Sequence, residues 1–303
     1  MDIWSDTVLG KLRDVGRIAE EVGAQGVLDG GDFFDLKSPT RTSHALVRRT
    51  MEVHRSYPCP VYANVGNHDC VYGDYAFLPG QPLGVLFESG TFRRLYDHHE
   101  QVFIRDGVSV RVVGIPYHGP RYCMGRFEAI RRGQEDFLVV VAHVLASPTA
   151  DTMFDSEDVI KYSQLDDYPA DLYLFGHWHK DQGIVRTPKG KVIVNIGSLT
   201  RGSLTQDDLS RIPSVAVLRF TKQGLDVEKV PVKHANPDQV FNVAGRDQKV
   251  LHESMMQDFA THLQQVLTPK PMTTLREVVR DVPGIPSEVK EKTILYVEKA
   301  GGK

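Results

Sequence analysis

The sequence predicts an α/β fold in which two packed mixed β-sheets are flanked by helices, with a helical appendage at the C-terminus. In the first part of the chain, short apolar runs typical of buried strands alternate with segments of helical periodicity. The middle of the chain changes to hairpin patterns. The last part alternates amphipathic segments with prolines, which is typical of short helices.

Composition describes an ordinary globular protein. The chain has 303 residues, of which 41% are hydrophobic and 25% charged, and its formal net charge of -3 argues against a generally basic nucleic-acid coat. Cys59, Cys70 and Cys123 show no CxxC spacing and are expected to be reduced thiols. No apolar run approaches the roughly 20 residues of a membrane helix, and no signal-peptide pattern is present. We therefore expect a cytoplasmic protein without membrane association.

The first elements are predicted from spacing and from stop signals. Leu9, Leu12, Val15 and Ile18 recur at helical spacing before Gly23. The predicted elements are a helix at residues 5–22, a strand at 26–28, a helix at 42–55 and a strand at 60–63. This order is typical of a layered α/β domain.

The middle of the chain is predicted to form the second sheet. Its elements are hairpin strands at 101–105 and 108–114, a helix at 122–132, strands at 137–142 and 171–175, and hairpins pairing 183–186 with 191–196 and 214–220 with 225–230. The turn Asp106-Gly107 is a strong hairpin turn. The last two hairpins are expected to build that sheet.

A domain boundary is predicted after Val232, which divides the chain into a main domain of residues 1–232 and a helical extension of residues 233–303. Helices are expected at 248–267, 273–280 and 287–299, separated by prolines. An apolar stripe includes Met255 and Met256. It would dock on the main domain or bind a partner.

Four predicted strands each deliver metal-binding side chains at their carboxyl ends, where open α/β sheets gather their chemistry. Asp32 and Asn67 offer oxygen, and His143, His177 and His179 offer imidazole nitrogen. Such a mixed set without thiolate suits Mn, Fe or Zn and disfavours Mg or Ca. Two such metals about 4 Å apart would clamp a phosphoryl group, which indicates phosphoester hydrolysis.

Taken in order, the motifs GDxxD, GNHD, a lone strand-end His and GHxH resemble the calcineurin-like metallophosphoesterase superfamily over residues 26–198. The stretches VLDGGDFFDLKSPTRTSH and VNIGSLTRGSL look most like its DNA-repair exonuclease branch, the SbcD-type nuclease subunits and their phage relatives. The resemblance implies a four-layer metallophosphoesterase sandwich. It also implies a phosphodiesterase with a dinuclear manganese centre that acts on DNA as an exonuclease or endonuclease subunit.

The resemblance also assigns roles to the metal ligands. Asp32 would bridge both metals, and Asn67, His143 and His177 would complete one site. His179 would bind the other metal. The family opens with a strand ending in Asp-x-His, whereas this sequence begins MDIW. The chain as given is expected to start after that strand, which would leave the site of Asp32 and His179 weak or empty. A degraded form of the motif is the alternative.

Catalytic and substrate-binding residues complete the expected site. His68 would stabilise the phosphate or protonate the leaving oxygen, with Asp69 orienting its ring. Arg41 and Arg201 follow strand ends and are candidates for holding a nucleic-acid backbone. His118, in GIPYHG at a strand end, is a candidate for the substrate cleft, with a structural role as the alternative.

The expected partners are DNA and an SbcC-type coiled-coil ATPase that would grip the C-terminal helices. SbcD-type subunits usually pair, so a homodimer is also considered. Two other functions stay open. One is a phosphoesterase with a small-molecule or protein substrate, which the net acidity does not exclude. The other is a catalytically impaired scaffold subunit, suggested by the missing Asp-x-His.

Overall fold

The computed structural model describes residues 3–34, 42–70, 74–122, 124–149, 157–202, 204–266 and 275–301. Its strands are β1 (Val27–Asp29), β2 (Val61–Ala63), β3 (Phe92–Arg94), β4 (Gln101–Arg105), β5 (Val108–Ile115), β6 (Phe137–His143), β7 (Ala146–Ser147), β8 (Ile160–Lys161), β9 (Leu172–Gly176), β10 (Asp181–Arg186), β11 (Val192–Ile196), β12 (Ser214–Thr221) and β13 (Gly224–Pro231). Its α-helices are α1 (Ile3–Glu21), α2 (His44–Arg55), α3 (Pro82–Glu88), α4 (Gly125–Glu128), α5 (Gln206–Ser210), α6 (Pro237–Val240), α7 (Val243–Val266), α8 (Leu275–Asp281) and α9 (Ser287–Gly301). Within the described ranges, 3-10 helices span Tyr75–Gly80 and Tyr162–Asp167.

The first sheet is parallel and three-stranded, in the order β1-β2-β3. Val27 pairs with Val61, and Val61 pairs with Phe92. The sequence pattern predicts β1 and β2 but not β3. Only Phe92 of β3 is buried, while Arg93 and Arg94 are exposed, so this strand shows no apolar run.

The second sheet has six strands in the order β10-β11-β9-β6-β5-β4. The four inner strands run parallel, and β10 and β4 join antiparallel at the edges. The predicted grouping of the last two hairpins is wrong in part. β11 pairs with β9 and so carries its hairpin into this sheet, whereas β12 and β13 pair with each other as a separate antiparallel ladder.

An apolar layer fills the space between the two sheets. Tyr62 of β2 packs there with Val139 and Val141 of β6 and Leu172 of β9. The neighbouring Val61 belongs instead to a cluster on the other face of its sheet, as the two-residue period of a strand requires. The predicted α/β architecture of two packed sheets with helices outside is therefore confirmed, but only the six-stranded sheet is mixed, because β1, β2 and β3 are all parallel.

Asn64 adds a polar link between the sheets directly after β2. Its side chain is fully buried, and its Nδ2 donates to the carbonyl of Ile115 at 2.9 Å and to that of Val141 at 3.1 Å. Its Oδ1 accepts from the backbone N–H of Val65 at 2.9 Å. The ends of β5 and β6 are thereby tied to the end of β2.

Helices cover the outer faces of both sheets. Leu83 and Leu86 of α3 pack with Val61 of the first sheet. Phe127 of α4 packs on the other side of the molecule with Leu138 of the second sheet. The domain is thus layered as helix, sheet, sheet and helix.

The helix predicted at residues 122–132 is much shorter than expected. It consists of α4, Gly125–Glu128, and ends at Ala129. Arg132 instead donates to the carboxylate of Asp171 at 2.9 Å and to the carbonyl of Asp136 at 2.6 Å. These bonds to the second sheet favour a non-helical path for the chain before β6.

The chain divides into two compact units, residues 1–236 and 237–303. The first unit thus ends at Asn236, whereas the sequence predicts a boundary after Val232. Within the second unit α8 packs against α9, and Nζ of Lys290 donates to the carbonyl of Arg280 at 2.7 Å. No helix in the described ranges has both the length and the apolar character of a membrane span.

Candidate metal centre

The carboxyl ends of strands from both sheets bring predicted metal ligands together. Asp32 follows β1, Asn67 follows β2, His143 ends β6 and His177 follows β9. His143 lies opposite Gly176 in the pairing of β6 with β9, so the two histidines come from neighbouring strands. Asp32, His143 and His177 each place one donor atom within 4.8 Å of the others.

His143 is fully buried, and contacts to both ring nitrogens fix its orientation. Its Nδ1 lies 2.8 Å from the carbonyl of Gly30 and donates to it, since a carbonyl oxygen only accepts. Its Nε2 lies 3.2 Å from Oδ1 of Asn67 and 3.1 Å from Oδ2 of Asp32. If the ring is neutral, the lone pair of Nε2 therefore faces two oxygen atoms that also carry lone pairs. A proton or a metal cation at Nε2 would stabilise this arrangement.

Asp32 and His143 shift each other's pKa. Burial alone would raise the pKa of Asp32, but the charge and hydrogen bond of His143 lower it to about 2. Burial alone would lower the pKa of His143, but the charge of Asp32 raises it. The charge of each residue thus favours the charged form of the other, and a divalent cation at Nε2 would take the place of a proton there.

His177 stands beside this pair, with its ring centroid 5.0 Å from that of His143. Its Nε2 lies 3.0 Å from Oε1 of Glu157. Burial, and next the charge of His143, lower the pKa of His177. The ring is therefore favoured in the neutral form, which is the form that binds metals.

His179 is held by its backbone. Its carbonyl accepts from Nη1 of Arg211 at 2.8 Å and from the N–H of Ser198 at 3.0 Å. Burial lowers the pKa of its imidazole, and the charge of Asp32 acts in the opposite direction. His179 is close enough to Asp32 for the carboxylate charge to affect the pKa of its imidazole, but it lies outside the cluster of three donors. Its role as a ligand of a second metal stays a prediction.

Two of the clustered residues have an unusual backbone. Asp32 has φ 58° and His177 has φ 84°, conformations that cost a residue other than glycine about 1–3 kcal/mol and that cluster at functional sites. Gly31, with φ 98°, precedes Asp32. A Cβ atom at Gly31 would lie 2.6 Å from Nδ1 of His143 and 2.8 Å from the nitrogen of Gly66. Only glycine allows this close approach.

The GNHD loop contacts Asp32 through its backbone. The N–H of His68 donates to Oδ1 of Asp32 at 2.7 Å. The buried carboxylate of Asp69 accepts from the N–H of Asp32 at 2.7 Å and from that of Gly66 at 2.9 Å. Burial, and next the charge of Asp32, raise the pKa of Asp69 to about 7. Asp69 thus clamps two loops together, and its orienting of the His68 ring stays a prediction.

The predicted substrate-binding residues differ in their surroundings. Arg41 lies outside the described residues. His118 is partly buried, with Nδ1 3.0 Å from the carbonyl of Pro116. Arg201 is only 3% exposed, and its Nη2 donates to the carbonyl of Ala235. A buried guanidinium bonded to the main chain offers little to a phosphate, so we do not retain Arg201 as a substrate-binding residue.

Arg201 belongs to a group of buried cations with Lys11 and Arg211. Burial, and next the charges of Arg201 and Arg211, lower the pKa of Lys11 to about 8. Nζ of Lys11 donates to the carbonyl of Leu199 at 3.1 Å. The bonds of Arg211 include the carbonyls of Ser198 and Thr200 and the carboxylate of Asp208. The group fixes the loop that follows β11 beside His179.

Three residues near the histidines, Tyr117, Tyr122 and Glu157, are not predicted from the sequence. The ring centroid of Tyr117 lies 5.4 Å from that of His177. The hydroxyl of Tyr122 donates to Oε1 of Glu157 at 2.5 Å. Tyr117 stands in the strand-end segment GIPYHG, which drew attention only to His118. Neither Tyr122 nor Glu157 belongs to a recognisable motif.

The donors present fit a metal of the transition series. Asp32 and Asn67 supply oxygens, and His143 and His177 supply imidazoles, with no thiolate among the clustered donors. This set suits Mn, Fe or Zn better than Mg or Ca, which prefer shells of oxygen alone. The oxygens facing Nε2 of His143 are an independent sign that a cation fits there.

Comparison with solved structures gives distant similarities, while no curated protein matches the sequence. The NAD nucleotidase NadN of Haemophilus influenzae is 11% identical with a TM-score of 0.43, covering 74% of this chain and 44% of that one. A putative 5'-nucleotidase from Staphylococcus aureus is 14% identical with a TM-score of 0.45, covering 80% and 52%. This chain spans about half the length of those two proteins, and we infer no activity from them.

The model of the calcineurin-like phosphoesterase family matches residues 4–181, more than half of the chain. The matched range contains Asp32, Asn67, His143 and His177, the residues that converge at the strand ends. Members of this family are hydrolases of phosphoester bonds and use a dinuclear metal centre. The chain therefore belongs to the calcineurin-like phosphoesterase family.

Proposed function

We propose that the chain is a metal-dependent phosphodiesterase that hydrolyses DNA, as the nuclease subunit of an SbcD-type complex. The observation that carries hydrolysis is the convergence of Asp32, Asn67, His143 and His177 from four strand ends. DNA as the substrate is supported by the sequence around these ligands. VLDGGDFFDLKSPTRTSH and VNIGSLTRGSL resemble the nuclease branch of the family.

The four converging residues would hold the metal, which when bound would polarise the phosphoryl group and lower the pKa of a water molecule. The carbonyl of Gly30 keeps the Nδ1 proton of His143 and leaves Nε2 for the cation. The N–H of His68 occupies Oδ1 of Asp32, so that Oδ2 remains directed at the ring of His143. The backbone thus orients the donors before a metal arrives.

We assign proton transfer to the side chain of His68, which would stabilise the phosphate or protonate the leaving oxygen. Its backbone is fixed 2.7 Å from a carboxylate oxygen of Asp32. The residue is only partly buried, so a substrate from solvent can approach it. His68 therefore combines a fixed position with access.

Manganese is the proposed metal, in line with the nuclease branch that the sequence resembles. The site of Asn67, His143 and His177 shares Asp32 with any second ion. Asp32 and His179 are the donors that the resemblance assigns to that second ion.

A second candidate function is the hydrolysis of a small phosphate ester or of a phosphorylated protein. The burial of Arg201 favours it. DNA binding draws much of its affinity from cationic side chains at phosphates, and one of the two arginines expected to supply them is not at the surface.

The proposal also includes a partner and a compartment. Met255 and Met256 of α7 and Leu295 and Tyr296 of α9 are exposed. Exposed apolar residues on helices are typical of partner-binding segments, and we assign these two helices to the binding of an SbcC-type coiled-coil ATPase. A homodimer and a cytoplasmic location belong to the same proposal.

The test measures Mn-dependent cleavage of labelled single- and double-stranded DNA, a bis-nitrophenyl phosphodiester and a phosphomonoester. Wild type should cleave DNA, and His68→Ala should lose about 100-fold in rate while still binding metal. His252→Ala, at an exposed position on α7, is the matched control. Hydrolysis of the small esters without DNA cleavage would favour the second candidate. Metal binding without any hydrolysis would indicate a scaffold subunit.

A further inference from the structure

We propose that Glu157 is a positioning residue of the metal centre, which fixes the tautomer of His177 so that Nδ1 presents the lone pair to the cation. The inference rests on the metal centre proposed above and deepens it. It concerns how one ligand is oriented and not which residues bind.

The contacts of Glu157 are short and shielded from solvent. Its Oε1 lies 3.0 Å from Nε2 of His177 and 2.5 Å from the hydroxyl of Tyr122. The side chains of Glu157 and His177 are 14% and 12% exposed. Water therefore competes little with these bonds.

The direction of each hydrogen bond follows from the partners. The backbone N–H of Leu145 donates to the hydroxyl oxygen of Tyr122 at 2.9 Å, and that hydroxyl passes its own hydrogen to Glu157. The carboxylate oxygen of Glu157 accepts, so Nε2 of His177 carries its proton toward Glu157. A neutral imidazole has one N–H, and the free lone pair is then on Nδ1.

Glu157 acts from outside the ligand set. Among the described residues, the acidic and histidine side chains with donor atoms within 4.8 Å of one another are Asp32, His143 and His177. Glu157 contacts this group through Nε2 of His177. Such outer carboxylates orient metal-binding histidines and raise their basicity.

The segment that carries Glu157 is anchored to the loop after β5. The carboxylate of Asp158 accepts from Nη1 of Arg121 at 2.7 Å and from the N–H of Tyr122 at 3.1 Å. The N–H of Asp158 donates to the carbonyl of Pro120 at 2.9 Å. Glu157 is thus placed by three bonds that do not involve His177.

The two clustered histidines are oriented in opposite ways. His143 gives its Nδ1 proton to the carbonyl of Gly30 and turns Nε2 inward. His177 gives its Nε2 proton to Glu157, which leaves the lone pair on Nδ1. A main-chain carbonyl cannot be removed by substitution, whereas a carboxylate can, so His177 is the histidine whose orientation is open to test.

The test compares metal affinity and tautomer in Glu157→Gln and wild type. Calorimetric titration with Mn or Zn should give 10- to 100-fold weaker binding for the variant, the usual effect of losing such a partner. In nitrogen-15 spectra of the metal-free protein, His177 should move from the Nε2–H form toward the Nδ1–H form, because a carboxamide can donate to Nε2. Glu20→Gln, at an exposed position on α1, should change neither readout.

Unchanged affinity together with an unchanged tautomer in Glu157→Gln would overturn the inference. If that variant does not fold, Glu157→Asp withdraws the carboxylate by one methylene and should still weaken binding; wild-type affinity there would also overturn it. Failure of the wild type itself to bind Mn or Zn would contradict the metal centre, and the wild-type titration alone reveals that outcome.

Discussion

The Nε2 atom of His143 lies 3.1 Å from the Oδ2 atom of Asp32, and the two residues belong to different sheets. Asp32 follows β1 of the three-stranded sheet, and His143 ends β6 of the six-stranded sheet. A cation between them would bridge the two layers. Its binding would therefore stabilise the folded domain as well as serve the reaction.

Asp32→Asn should remove the stabilisation that a metal confers. A ligand at 100 times its Kd adds about 2.7 kcal/mol to the free energy of unfolding, and a carboxamide lacks the charge that attracts the cation. Thermal melts with Mn and with a chelator measure the difference. Asp226→Asn, whose side chain on β13 is 73% exposed, is the control and should keep the full metal effect. Equal metal stabilisation in Asp32→Asn would place the metal elsewhere.

Asn64→Ala should lower the free energy of unfolding by about 2–4 kcal/mol. The substitution leaves the carbonyls of Ile115 and Val141 without the donor they have in the wild type. Urea denaturation measures the change. Gln223→Ala, at an exposed turn position, should stay within about 0.5 kcal/mol. A loss below about 1 kcal/mol in Asn64→Ala would mean that the polar link between the sheets contributes little.

Gly31→Ala should both destabilise the protein and weaken metal binding. The new Cβ would lie 2.6 Å from Nδ1 of His143, and the φ of 98° is unfavourable for alanine. We expect a loss of about 1–3 kcal/mol, measured by denaturation, with a parallel loss of metal affinity. Gly10→Ala is the contrasting control. No atom lies within 4 Å of its added Cβ inside α1, so it should stabilise by about 0.5–1 kcal/mol.

Glu135 should make stability depend on pH. Burial alone would raise its pKa, but hydrogen bonds from Arg111 and from the backbone lower it from 4.5 to about 2. The lowered pKa means that the stabilisation is complete above pH 4.5 and is lost as the pH falls toward 2. Glu135→Gln should be about 1–2 kcal/mol less stable than wild type at pH 7, with the gap closing below pH 4.

Denaturation of both proteins at pH 7, 4.5 and 3 measures the effect. Glu20→Gln, at an exposed position on α1, should show no such gap at any pH. A constant difference in the free energy of unfolding between wild type and Glu135→Gln across this range would mean that the stabilisation does not come from the ionised carboxylate.

The convergence of the four candidate ligands could be predicted from their neighbours in sequence. Asp32, Asn67, His143 and His177 each end or follow a short apolar strand, and parallel strands bring such ends to one edge. Glu157 could not be predicted in this way. It reaches His177 from the segment that precedes β8, and its partner Tyr122 is distant in sequence from both residues.

Arg201 shows the opposite failure. Its position just after a strand end suggested a place at the substrate edge, but a local pattern does not say which way a loop side chain turns. Lys11 of α1 lies far away in sequence, yet it binds the carbonyl of Leu199 and holds that loop inward.

α3 was missed because Pro82 and Gly84 interrupt its apolar pattern, although both fit in its buried turn.

The apolar layer between the sheets separates the residues of the candidate metal centre. Asp32 and Asn67 follow strands of one sheet and His143 and His177 end or follow strands of the other, while Tyr62 and Val139 pack between the sheets. Side chains outside the candidate ligand set would therefore influence the spacing between the residues that hold a metal. Substituting smaller or larger apolar side chains in this layer should shift the preference of the centre between smaller and larger cations. Ion selectivity in this fold would then depend on its hydrophobic core.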